Sequence, residues 1–134
     1  MAGSVIAGFV DAPWPLPGLA ALEGFDLATA LARMDGNVGL YVRVAQAATQ
    51  TLNGWPERFV QAQAKADAGL ALRMAHDLKS SAATLGAVAL AAAAHRLEQA
   101  LRAAQPQLDE VAAAQAAVQA PLAAVLARLL PSSE

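Results

Sequence analysis

A chain of 134 residues, 57% hydrophobic but only 4% aromatic, suits one domain with a core of alanine and leucine. The net charge of −2, with no long basic run, argues against nucleic acid as a partner, and the absence of cysteine excludes disulfides and thiolate metal sites. Alanine and leucine favour helices over strands, so an all-α domain is expected.

The opening segment, residues 1–22, carries Pro13, Pro15 and Pro17. Proline fixes φ and cannot donate a backbone hydrogen bond, so an extended or loosely folded stretch is expected, with Trp14 and Leu16 available to pack on the domain. It lacks the basic start of a signal peptide and is too short to cross a bilayer. Asp26 then reads as an N-cap for a short helix carrying Leu27, Ala30, Leu31 and Met34. After the turn signal Asp35-Gly36-Asn37, a longer helical pattern runs from Val38 through Leu40, Val44, Ala48 and Leu52. Asn53-Gly54-Trp55-Pro56 interrupts it with a kink or a break, and the pattern resumes through Phe59 and Ala64 to Lys65.

Asp67-Ala68-Gly69 opens the next helix, which reaches about Leu85 and stops at Gly86. Another runs from Ala87 to about Ala104 and is closed by Pro106. The last runs from about Leu108 to Leu130, with Pro121 expected to kink it and Pro131 to end it. Short connections make sequential helices antiparallel neighbours. The expected fold is therefore an antiparallel up-down four-helix bundle with a short extra N-terminal helix, spanning 23–131 and followed by a tail, 132–134. No charge-free window of about 18 apolar residues stands out, so the chain reads as soluble, cytoplasmic and without a membrane partner.

The chemistry concentrates in Ala75-His76-Asp77-Leu78-Lys79-Ser80-Ser81, around one of only two histidines. At about 100° per residue, Leu70, Met74, Leu78 and Leu85, with Ala71, Ala75, Ser81 and Ala82, form one apolar stripe. His76 lies nearly opposite Leu78, on a stripe of Gly69, Arg73, Lys79, Ser80 and Ala83, and so points to solvent. Arg73 and Lys79 flank it one turn to either side and favour an anion placed on the ring. A neutral imidazole is a nucleophile near physiological pH, and the small neighbours leave room for a partner to approach. This pattern suits phosphoryl acceptance.

His76-Asp77-Leu78-Lys79-Ser80-Ser81, with Gly86 ten residues after the histidine, resembles the signature of the histidine-containing phosphotransfer (HPt) domain of two-component phosphorelays. Leu97-Glu98-Gln99-Ala100-Leu101 resembles that family's next helix, and Gly24-Phe25-Asp26-Leu27 and Leu40-Tyr41 resemble its opening. The resemblance implies that His76 accepts a phosphoryl group from a receiver-domain aspartyl phosphate and passes it to another receiver. It implies that Lys79 supports phosphate and partner, with Arg73 and Ser80 beside it, that Glu98 orients the ring, and that Gly86 allows close packing. Ser80 stands where the family usually has glycine, which bears on how closely a partner's backbone approaches. Leu72 and Ala83 are candidate docking contacts. The implied partner is the receiver domain of a response regulator, or a hybrid sensor histidine kinase, bound by a monomer. Mg²⁺ is expected in that receiver and no cofactor or metal in this chain. No glycine-rich nucleotide loop is present, so autonomous kinase activity is not expected.

Three other readings compete. A helical docking module without phosphotransfer would keep the same face. A dinuclear metal bundle could use His95-x-x-Glu98, but the other helices offer no matching Glu-x-x-His. A membrane-surface helix in the alanine-rich tail lacks the lysines such helices use.

Overall fold

The computed structural model describes residues 11–130, and every regular element among them is an α-helix. In chain order these are α1 (Leu16–Ala20), α2 (Leu27–Arg33), α3 (Val38–Leu52), α4 (Trp55–Ala64), α5 (Ala68–Leu85), α6 (Val88–Arg102) and α7 (Leu108–Leu129). Three helix starts are set by side-chain caps. Asp26 accepts from the Thr29 amide at 3.1 Å, Asn37 from Leu40 at 2.9 Å and Asp67 from Leu70 at 3.0 Å, each satisfying an amide with no partner inside its helix.

The interruption after Leu52 is a break. Gly54 sits at φ 76°, a left-handed conformation that ends the path of α3, and α4 restarts with Pro56 in its first turn, where a missing amide costs nothing. The Arg58 guanidinium folds back onto the Asn53 and Thr51 carbonyls at 2.8 and 2.6 Å and satisfies the end of α3. Pro121, in contrast, lies inside α7, which continues through it as one helix.

The bundle closes because α5 packs on α3, α4 and α6, while α7 packs on α6 and α3. Its core includes Tyr41, Leu52, Phe59, Leu78, Leu90, Leu97, Val118 and Leu122, all at most 2% exposed. Each such large side chain contributes on the order of 1.5–3 kcal/mol through burial. Trp55 stacks on Phe59 with centroids 4.8 Å apart and donates from Nε1 to the Met74 carbonyl at 3.2 Å. By length and composition α7 could cross a membrane, yet its Val111, Ala114, Val118, Leu122, Val125 and Leu129 form the face that fills the core.

The N-terminal expectation needs correction. Within 1–22, residues Leu16–Ala20 form a helix, and Leu16 and Leu19 are fully buried against the bundle. The prolines do not prevent this, because Pro15 is the N-cap and Pro17 lies in the first turn. Trp14 stays 41% exposed. The expectations for residues 1–10, for the tail 132–134 and for Pro131 as a stop lie outside the described residues.

Candidate functional site

On α5 the buried stripe is Ala71, Ala75, Leu78, Ala82 and Leu85, with Leu70, Met74 and Ser81 half-buried beside it. His76 leaves the helix on the other side, and half of its side chain is exposed. Among the described helices, α6 packs along α5 more extensively than any other pair does. Small residues, Ala75 and Ala82 on α5 and Ala94 on α6, permit that close approach. The α6 core residues Leu90, Ala94 and Leu97 bring the adjacent Glu98 to the edge of the same interface, where it is 1% exposed.

Glu98 is the only charged residue in the core among the described residues, and its partners define the site. Oε2 accepts from His76 Nδ1 at 2.7 Å and from Arg102 Nη2 at 3.1 Å. Oε1 accepts from Lys79 Nζ at 2.5 Å, with His95 Nδ1 3.9 Å away. The Lys79 hydrogen bond holds the Glu98 carboxyl down from its ordinary 4.5 to about 2. Burial pushes the other way, while the His76 hydrogen bond and the charges of Lys79 and Arg102 add to the lowering. The carboxylate is therefore ionised at neutral pH, and an ionised carboxylate only accepts. Nδ1 of His76 must then carry the proton. In the neutral ring this leaves the Nε2 lone pair directed away from Glu98, and Nε2 makes no hydrogen bond among the described residues.

The other sequence candidates fall around this centre. Lys79 is 29% exposed, so its ammonium sits between the buried carboxylate and solvent. Arg73 is exposed and makes no ion pair or hydrogen bond among the described residues. Ser80 is exposed, its carbonyl accepts from Thr84 Oγ1 at 2.9 Å, and it borders a shallow groove with Val44, Ala47, Ala48, Thr51, Ser81 and Thr84. Leu72 is half-buried and Ala83 exposed. Gly86 lies away from the imidazole, at the C-cap of α5 with φ 95°. A Cβ there would stand 2.5 Å from the Asp26 carbonyl oxygen, so this corner has room only for glycine.

Sequence reasoning passed over Arg102 and left His95 as a surface residue or a helix-interface edge. Part of the signal was available. Glu98 shares a face with Ala94, Leu97 and Leu101, and a lone carboxylate on an apolar face calls for basic residues at i−3 and i+4, where His95 and Arg102 stand. Among the described residues, no group of three or more His, Cys, Asp or Glu is placed to hold a metal ion.

A family model described as Hpt domain matches residues 26–129, and the chain belongs to that family. Hpt domains carry out histidine phosphotransfer in phosphorelays and interact with receiver domains of response regulators. No curated protein and no solved structure matches the chain.

Proposed function

We propose that Nε2 of His76 accepts a phosphoryl group from the aspartyl phosphate of a receiver domain and later passes it to another receiver. The observation that carries this reading is the contact between His76 Nδ1 and an ionised, buried Glu98, which leaves Nε2 as the outward nucleophile. In the transfer, the Nε2 lone pair forms a bond to phosphorus as the bond from phosphorus to the aspartyl oxygen breaks. Aspartate departs as a carboxylate with the bonding electrons. The ring keeps its Nδ1 proton and becomes cationic, and Glu98 stabilises that charge. Positioning and charge complementarity supply most of the catalysis in such transfers.

Lys79 supports the phosphoryl group, the exposed Arg73 adds positive potential on the same face, and Ser80 lies where the receiver's backbone approaches. Mg²⁺ held by the receiver neutralises charge on the donor side. The chain acts as a monomeric cytoplasmic carrier, with a response regulator or a hybrid kinase as the source of the receiver.

Phosphotransfer from a labelled receiver tests the reading. The natural chain takes acid-labile, base-stable label, and His76→Gln takes none. Label on His76→Gln would move the acceptor elsewhere. A folded natural chain that binds receivers but takes no label from them would favour the docking module.

A further inference from the structure

Lys79 is required in two places. At rest its ammonium sits on Glu98 Oε1, and in the proposed transfer the same ammonium is needed at the phosphoryl group. Moving it removes a partner from a carboxylate that is 1% exposed. Breaking a buried ion pair by taking away one charge is strongly unfavourable, because water cannot reach the one left behind.

Two more basic side chains stand at that carboxylate. Arg102 Nη2 donates to Oε2 at 3.1 Å, and His95 Nδ1 lies 3.9 Å from Oε1, the oxygen Lys79 would leave. Both belong to α6, one turn to either side of Glu98, so they stay with it whatever Lys79 does on α5. Both are more than half exposed, which keeps their own desolvation small. Arg73, the other cation beside His76 on α5, makes no such contact among the described residues.

From this we infer that Arg102 is a standing counter-ion for Glu98, with the His95 ring beside Oε1, and that it frees Lys79 to move from the carboxylate to the incoming phosphoryl group. The inference rests on the proposed chemistry at His76. Arg102 and His95 act through Glu98 and Lys79, as positioning residues. The charges balance without a further proton transfer. At rest one carboxylate faces Lys79 and Arg102. After transfer Lys79 faces the phosphoryl group, while Arg102 and the cationic His76 ring remain on Glu98.

Phosphoramidate offers a test independent of any receiver, since it gives its phosphoryl group to an imidazole and leaves as ammonia. Initial labelling rates at His76 are compared for the natural chain, Arg102→Gln, Arg102→Lys, His95→Gln, Lys79→Ala and the double variant Lys79→Ala with Arg102→Gln, each confirmed helical by circular dichroism. Arg102→Gln slows labelling about tenfold, the effect of losing one charge-assisted hydrogen bond. Arg102→Lys recovers most of the rate, and His95→Gln slows it about twofold, as a longer contact would. In the Lys79→Ala background, Arg102→Gln adds little, because there is no lysine left to release.

An unchanged rate in Arg102→Gln, or equal slowing with and without Lys79, overturns the inference. Label from phosphoramidate but from no receiver overturns the proposed relay function and leaves the inference standing. A natural chain that takes no label on His76 from phosphoramidate overturns both.

Discussion

Helix α5 is held at two places by different means. At its middle, His76 and Lys79 are tied to α6 through one carboxylate and a handful of charge-assisted contacts. At its C-terminal end the ties are steric or run to backbone groups. Gly86 and Ala87 amides close on the Ala82 carbonyl at 3.1 and 2.8 Å, the Asp26 amide donates to the Gly86 carbonyl at 2.7 Å, and the Ala89 amide reaches Gly24 at 3.0 Å. Tyr41 and Arg33 satisfy the Leu85 and Ala83 carbonyls. Backbone ties have one geometry, whereas a carboxylate can exchange partners around its two oxygens. The corner therefore fixes the helix, and the middle leaves its charges adjustable. Damage at the corner belongs in stability alone, and damage at the middle reaches transfer as well.

The largest expected effect comes from filling the corner. In Gly86→Ala, the new methyl meets the Asp26 carbonyl oxygen at 2.5 Å and the Ala30 Cβ at 3.1 Å, at a φ of 95°. A left-handed conformation costs an alanine about 1–2 kcal/mol, and forcing packed backbone apart adds about 1–3 kcal/mol. Thermal melting should fall by roughly 10 °C or more for a chain of this size. A melting temperature within a degree or two of the natural chain would show that the corner yields, and would break the contrast with the middle.

At the middle, Glu98→Gln keeps the shape and an acceptor oxygen but removes the charge. Phosphotransfer should slow by about tenfold, because the Nδ1 proton loses its charged acceptor. Stability carries a pH signature. The folded-state pKa of Glu98 is depressed from 4.5 to about 2, so its contribution is present above about 4.5 and is lost as pH falls towards 2. Urea melts of the two proteins should differ at pH 7 and converge across that window. Asp26 and Glu110 are also held below the ordinary carboxylate range, by Thr29 and Arg96 respectively, but both variants share them and they cancel. A stability difference that persists at pH 2 would refute the charge-based account of the site.

Much of this division was legible in the sequence, for physical reasons that differ from residue to residue. Asp26, Asp67 and Gly86 are local signals, because a cap or a left-handed stop acts within a few residues, and the helices they bound stand close to the expected limits. The exposure of His76 followed from periodicity alone. α1 was hidden because Pro15 and Pro17 disrupt a helix interior but are tolerated at a start, and a five-residue helix has too little periodicity to show which case applies. The roles of His95 and Arg102 were only partly legible, because their spacing from Glu98 is in the sequence but the need for them depends on Glu98 being buried. That burial is set by how closely α5 and α6 approach, a tertiary fact that the spacing along α6 does not carry. The Tyr41 contact with α5 is likewise long-range, joining residues 44 positions apart.

That contact supplies the smallest effect and the finest test of the contrast. Tyr41 is fully buried, burial pushes its phenol pKa up, and its hydroxyl donates to the Leu85 carbonyl at 2.6 Å. Leu85 is the last residue of α5, so its carbonyl has no acceptor role within the helix, and the hydroxyl fills it. Tyr41→Phe keeps the ring and leaves that carbonyl without a donor in a site closed to water. The expected loss is about 1–2 kcal/mol, or about 5 °C in melting temperature. Phosphotransfer should stay at the natural rate, because the corner still holds α5 through the Gly86 backbone and nothing at Glu98 has changed. A folded Tyr41→Phe that melts lower and transfers normally keeps the two regions separate. One that transfers several-fold more slowly would show that strain at the end of α5 reaches His76, and the fixed corner would then be part of the adjustable site.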